Sequence, residues 1–330
     1  MAHSVKGFDV GTMNLVGAEQ DADGKIKVKL MRHTFLDIEA NSFTKNMLKK
    51  QKVQYAEMGD KVYVLGDSAF ELANIMNKTV RRPMQDGVIS PDEADALPIF
   101  GLLVEAVLGK PREKGEACYY SIPADPIDAS FNIVYHSNVI SGALTNLGYT
   151  PKPMNEGHAI IFAELAEKDF TGIGISCGGG MFNVCVSYKT IPAISFSTSR
   201  AGDWIDKNVA HVLGIKVNRA TAIKEKGINL NKPANREEEA VVIYYRNLIN
   251  YTLANIKTKF EKAEQMPHFP EPVDIVCSGG SSMIGGFIEV FKEELKKLHF
   301  PIPINDVRLA EEPLYATAKG CLLAGLSEVE

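Results

Sequence analysis

The chain has 330 residues, a formal net charge of -5, 45% hydrophobic residues and 23% charged ones. That length exceeds what one hydrophobic core usually organises, so two domains are expected. The acid excess speaks against a dedicated nucleic-acid binder, and no apolar run approaches the roughly 20 residues of a membrane span.

In chain order, Val5 to Asp9 reads as a strand that runs into Gly7-Phe8-Asp9-Val10-Gly11-Thr12-Met13-Asn14. Leu15 to Ala18 and Lys25 to Leu30 complete a β-meander around the Asp21-Ala22-Asp23-Gly24 turn. Residues 32–86 are more polar, carry a short strand pattern at Val62 to Leu65, and read as an inserted subdomain. Leu97 to Leu108 has helical apolar spacing, Ala117 to Ile122 reads as a strand, and Ala129 to Leu147 as a helix stopped by Gly148. Met154 to Ala166 carries Glu156 into another helix.

A second glycine loop, Gly172 to Asn183, then opens a second meander through Val184 to Ser187 and Ile191 to Ser197. Asp203 to Leu213 and Glu237 to Lys262 read as helices, the latter the longest. After a proline-rich break at Pro267 to Pro272 comes a third strand and glycine loop, Asp274 to Ser282. Helices over Ile284 to Leu298 and Tyr315 to Leu326 end the chain. Strand, glycine loop, meander and helix recur in both halves, which is an internal duplication of architecture. Glycine lets backbone N–H groups close on an anion, so two such nests in separate halves suit one polyphosphate gripped from both sides. The few residues ahead of the first strand predict no leader peptide or amphipathic anchor. The five cysteines lack CxxC spacing; Cys177, Cys185 and Cys277 lie in apolar runs and are expected as buried, reduced thiols in a cytoplasmic protein.

These loops resemble the phosphate and adenosine motifs of the actin, sugar-kinase and heat-shock-chaperone ATPase superfamily: Asp9 to Thr12, Ile175 to Phe182, and Val276 to Ser282. Local runs are similar to bacterial actins of the MreB and MamK kind, namely Arg82 to Ile89, Ala201 to Asp206, Ile223-Lys224-Glu225-Lys226 and Pro313 to Gly320. The resemblance implies an α/β actin-like fold of two duplicated domains, each with a five-stranded mixed sheet flanked by helices, and a nucleotide in the cleft between them. It places the first domain at 1–150 with its insert at 32–86. The second lies at 151–330 with an insert at 207–265, and the helix at 315–326 returns to the first.

The implied ligands are ATP or ADP with Mg2+. Gly11, Thr12, Met13 and Asn14 would wrap the terminal phosphates, Gly178, Gly179 and Gly180 the other side, and Gly202 and Asp203 would start the helix that follows. Lys224 and Glu225 match a ribose-contacting segment, against the plainer reading of a solvated charge run. Gly279, Gly280 and Ser281 would form the adenine-side loop. Two readings of Asp9 stand, a turn cap or the aspartate that orders magnesium through water. For Glu156 they are a first-turn helix acid and the glutamate that orients the attacking water. Departures are visible too. The phosphate-touching lysine of actin is missing from the first loop, Ser176 stands where the family carries an aspartate, and Asn183 where a second acid is common. Slow ATP hydrolysis is therefore expected, with Glu156 and Ser176 at the chemistry. Arg81-Arg82 reads as a surface turn rather than a phosphate contact, and Trp204 and the Tyr244-Tyr245 pair as packing residues.

The function implied is a cytoskeletal protein that binds ATP and polymerises head to tail, its partners being further copies of itself and cargo or adaptor proteins. A non-polymerising assembly factor of the FtsA or PilM type is a second reading, and a small-molecule kinase of the same fold a third. ATP-dependent light scattering separates the first from both.

Overall fold

A computed structural model describes residues 4–76, 78–90, 93, 95–263 and 267–329. The first half runs β1 (Val5–Val10), β2 (Asn14–Gln20), β3 (Ile26–Arg32), β4 (Phe35–Glu39), α1 (Ser42–Lys50), β5 (Tyr55–Met58), β6 (Lys61–Leu65) and α2 (Asp67–Ile75). It continues with β7 (Met84–Gln85), β8 (Val88–Ile89), α3 (Ala96–Leu108), β9 (Ala117–Ile122), α4 (Ile133–Leu147) and β10 (Thr150–Asn155). The second half runs α5 (Glu156–Glu164), β11 (Gly172–Cys177), β12 (Phe182–Tyr188), β13 (Ile191–Thr198), α6 (Gly202–Leu213), α7 (Val217–Glu225) and α8 (Arg236–Lys262). It ends with β14 (Val273–Ser278), α9 (Phe287–Lys297), β15 (Ile304–Leu309) and α10 (Ala316–Val329).

The two large sheets have the same plan. One is ordered β3-β2-β1-β9-β10 and the other β13-β12-β11-β14-β15, each an antiparallel meander flanked by two parallel strands. The duplication expected from pattern is present strand for strand, in the α/β actin-like arrangement.

Each sheet buries both faces. Phe8, Val10 and Leu15 pack on Phe100, Leu103 and Val104 of α3 and on Ile140 and Leu144 of α4. The other face, with Val5, Val16 and Ala18, lies on Ala318, Cys321 and Leu322 of α10. In the second sheet, Ile173, Ile175 and Val184 share a core with α6, α7 and α8. Helix α8 buries Val241, Tyr245, Leu248, Leu253 and Ile256, one stripe at helical spacing. The other face of this second sheet, with Cys185 and Val276, packs on Ile160 and Ile161 of α5. Helices α5 and α10 lie against each other, so one layer of helix joins the two sheets.

Residues 35–75 form a smaller unit, the sheet β4-β6-β5 with α1 and α2 around Leu36, Leu48, Val62, Val64 and Leu72. Arg81 ties it down and is not the surface turn residue that the sequence suggested. Its guanidinium pairs with Asp37, Glu93 and Asp95 and lies over the Phe35 ring. Two other boundaries differ from the sequence reading. Helix α4 begins at Ile133, where Asn132 accepts the Tyr135 N–H at 2.8 Å as its cap. Residues 150–155 are a strand, and Pro151 and Pro153 are tolerated because β10 is the sheet's edge. The Trp204 and Tyr244 rings meet edge to face at 5.5 Å, and Tyr245 is buried against Phe287. All five cysteines are buried and free.

Candidate functional site

The duplication reaches atomic detail at the two meander turns. Between β1 and β2 the chain turns over Gly11–Asn14, closed by the Gly11 N–H to the Asn14 carbonyl at 3.0 Å. Between β11 and β12 it turns over Gly178–Met181, closed by the Gly178 N–H to the Met181 carbonyl at 3.1 Å. The tips face each other: Gly179 sits against Met13, and Gly180 against Thr12 and Gly87. A Cβ on Gly180 would overlap the Gly87 amide nitrogen and stand 2.5 Å from Thr12 Oγ1, so no side chain fits there. Gly87 belongs to the tight turn between β7 and β8, where Asp86 and Gly87 both have positive φ, 49° and 88°. Among the described residues, the N–H groups of Met13, Gly179 and Gly180 donate to no backbone carbonyl. All three residues line one cleft, and unpaired donors of this kind suit an anion.

At the floor lie two carboxyls. Ser121, at the end of β9, accepts the Val10 N–H at 2.9 Å and donates to Asp9 Oδ1 at 2.7 Å. Burial pushes Asp9 up to about 6 against the pull of that hydrogen bond. Glu156 is the first residue of α5, and burial together with the neighbouring Asp9 charge pushes it up to about 8. Ser176 donates to Glu156 Oε2 at 2.8 Å. The serine therefore holds the glutamate, a role that the sequence did not disclose. Asn183 accepts the Ala124 N–H at 2.9 Å, and its amide also favours the ionised Glu156.

The second loop is pinned from behind. Its Gly178 carbonyl accepts from the Gly202 N–H at 3.1 Å and from Ser281 Oγ at 2.9 Å, and its Gly179 carbonyl accepts the Asp203 N–H at 2.7 Å. Lys224 reaches the Gly202 carbonyl at 3.1 Å and buried Asp206 at 2.8 Å; burial still raises the Asp206 pKa. Lys224 is thus part of a built contact and not a solvated run, while Glu225 is exposed at the rim. Two ion pairs cross from the first half to α6: Arg82 with Asp203 at 3.5 Å and Lys207 with Asp86 at 2.9 Å.

The whole encloses a cleft of about 450 Å³. Asp9, Gly11 to Asn14, Glu156, Ser176, Gly178 to Gly180, Asp203, Lys224, Glu225 and Gly279 to Ser281 all line it. Gly202 lies just behind, against Ser281 and Gly178. The sequence did not pick out Ser121, Asp206, Thr221 or the apolar wall of Tyr245, Met283, Ile284 and Leu314. Only Asp206 carried a signal, three residues after Asp203 on one helix face. No group of three His, Cys, Asp or Glu side chains among the described residues could hold a metal by itself, and no described helix is long and apolar enough to cross a membrane.

Two sheets of matched order around facing glycine turns define the actin-like fold. The chain is similar to a MamK double helical filament subunit, at 20% identity over 98% of each chain and TM-score 0.75. It is also similar to MreB 5 of Spiroplasma citri bound to AMPPNP, at 13% identity over 97% of this chain and 95% of that one, TM-score 0.67. The ethanolamine utilization protein EutJ from Carboxydothermus hydrogenoformans matches at 19% identity over 97% and 89%, TM-score 0.55. No curated protein matches in sequence. The chain belongs to the Volactin family, which it matches over residues 4–325.

Proposed function

We propose that this chain binds ATP with Mg2+ between its halves, hydrolyses it slowly, and polymerises head to tail as a cytoplasmic actin-like filament. The observation that carries the reading is the pair of matched turns, whose Met13, Gly179 and Gly180 line one cleft with N–H groups that donate to no backbone carbonyl among the described residues. Support comes from relatives of the same fold: a MamK filament, a non-polymerising MamK mutant bound to AMPPNP, and MreB 5 with AMPPNP or ADP. Magnesium keeps much of its water shell and needs only one or two carboxylates beside phosphate, which suits Asp9, since the described residues hold no three-ligand cluster. Bound there, the metal nucleotide supplies a terminal phosphoryl group and positive charge. Met13, Gly179 and Gly180 would hold the phosphates by their N–H groups, and the apolar lining of Met283, Ile284 and Leu314 would suit the base. The Lys224–Asp206 pair, which lines the same cleft, would brace the ribose.

Glu156 would orient the attacking water, with its carboxyl held by the Ser176 hydroxyl, which donates to Oε2. Burial and the Asp9 charge make Glu156 resist ionisation, so slow turnover is the expected outcome. Titration calorimetry with ATP and Mg2+ tests the binding; no heat with ATP, ADP or GTP removes it. In the complex, Glu156→Gln is expected to slow phosphate release at least about tenfold. An unchanged rate would take the catalytic role from Glu156.

A further inference from the structure

Two cations line the cleft, Lys224 and Arg32, against five carboxyls. Lys224 is already committed: its ammonium lies 2.8 Å from Asp206, whose side chain is almost wholly buried. Arg32 is held far more loosely. It ends β3, where it pairs with Asn14 of the first turn. Directly opposed residues of antiparallel strands carry their side chains on the same face of the sheet. The next residue fastens that end of β3 to the turn, because the His33 backbone N–H donates to the Met13 carbonyl at 2.9 Å. The root of the Arg32 side chain is thus fixed beside the first turn.

Its head rests elsewhere. The guanidinium lies 4.6 Å from the centre of the Phe70 ring, and its Nε is 3.3 Å from Asp67 Oδ1. Both partners belong to the first turn of α2, in the small unit at 35–75. Neither holds it firmly. The Asp67 side chain is 59% exposed and Phe70 is exposed too, and ion pairs and cation–π contacts open to water contribute little. A helix N-terminus is also the positive end of the helix dipole, which works against a cation. The backbone around the contact is tied down. The Gly66 N–H donates to the Thr34 carbonyl at 2.9 Å, and Thr34 Oγ1 donates to the Gly66 carbonyl at 3.1 Å. The Arg32 side chain can therefore turn without moving β3 or α2.

We propose that Arg32 is a phosphate-binding residue that changes partner. Without ligand it rests on Asp67 and Phe70; with a nucleoside polyphosphate in the cleft its guanidinium turns to the phosphates at the first turn. The exchange is favourable because the guanidinium fork matches two phosphate oxygens, and charge-assisted bonds of that kind are stronger than an exposed ion pair. It also brings positive charge to a cleft in which carboxyls outnumber cations. The inference deepens the nucleotide reading above and rests on it.

Titration calorimetry of the full chain with ATP and Mg2+ compares the parent with Arg32→Gln, Asp67→Asn and the double variant. Arg32→Gln is expected to bind at least about tenfold more weakly. Arg32→Lys keeps the charge, loses the fork, and is expected to fall between that variant and the parent. Asp67→Asn is expected to bind about two- to fivefold more tightly, because the competing carboxylate is gone. In the Arg32→Gln background the same change should do nothing. A merely structural contact would not shift affinity in opposite directions when its two ends are altered. Equal affinity of the parent and Arg32→Gln overturns the proposal. So does a gain from Asp67→Asn that persists without Arg32, which would be the general effect of removing a negative charge. A parent that binds no ATP ends the nucleotide reading and this proposal with it, whereas a parent that binds no better than Arg32→Gln ends this proposal alone.

Discussion

Glu156 and Asp9 share the floor of the cleft, and the charge on one makes the other harder to ionise. The sign of the consequence follows from linkage. Glu156 titrates at about 8 in the fold against an ordinary 4.5, so between those values the folded chain binds more protons than the unfolded one. Stability is fully present below about pH 4.5 and is lost as pH rises toward 8. Glu156→Gln is neutral throughout and escapes that loss. In the nucleotide-free protein the variant is expected to melt about 2–6 °C above the parent at pH 8, with the gap closing by pH 5. Parallel melting curves across that range would show that Glu156 is ionised at no cost. Buried His33 and His136 act at the other end. Their pKa values are depressed to about 4 from 6.5, so their share of stability is present above 6.5 and lost as pH falls toward 4.

Elements differ in how far their sequence announced them. Helix α8 was legible because its apolar stripe repeats at helical spacing and its start is chemically marked. Asn235 Oδ1 accepts the Glu238 N–H at 3.0 Å, and Glu238 reaches back to the Ala234 N–H at 2.8 Å, a close variant of a capping box. Asn235→Ala should therefore cost about 1 kcal/mol and lower the melting temperature by about 2–4 °C; an unchanged midpoint would mean that packing alone fixes the end of α8. The three glycine loops were equally legible, since a turn that crowds backbone on backbone has one residue type to use. What escaped has physical reasons. Strand β10 hides behind two prolines that only an edge tolerates, and β7 and β8 are two residues each, too short for any periodicity. Ser121 looks like any strand-end serine, and its contact to Asp9 joins residues 112 apart in the chain. The partner of Ser176 was invisible for the same reason: its hydrogen bond spans 20 residues and two elements, while the sequence showed only a missing charge.

At the scale of the molecule, the two sheets are joined by α5 against α10 and by the cleft-side contacts of Gly180, Arg82 and Lys207. The two crossing ion pairs are partly exposed and contribute little by themselves. On the proposed function, a nucleotide held by both turns would bias the angle between the halves, and an open head-to-tail contact would carry that angle into filament geometry. Gly180→Ala tests this lever, because its methyl group must push the Gly87 turn and Thr12 away from the second nest. The variant should keep its far-ultraviolet circular dichroism, bind ATP at least about tenfold more weakly, a loss near 1.4 kcal/mol, and need a higher concentration to assemble. Light scattering with ATP and Mg2+, followed by electron microscopy, compares it with the parent. A Gly180→Ala protein that binds ATP weakly yet assembles at the parental threshold would disconnect the cleft from the filament. A parent that stays monomeric at high concentration, with ATP, with ADP and across salt, would remove the filament reading and leave a nucleotide-binding module of the actin fold.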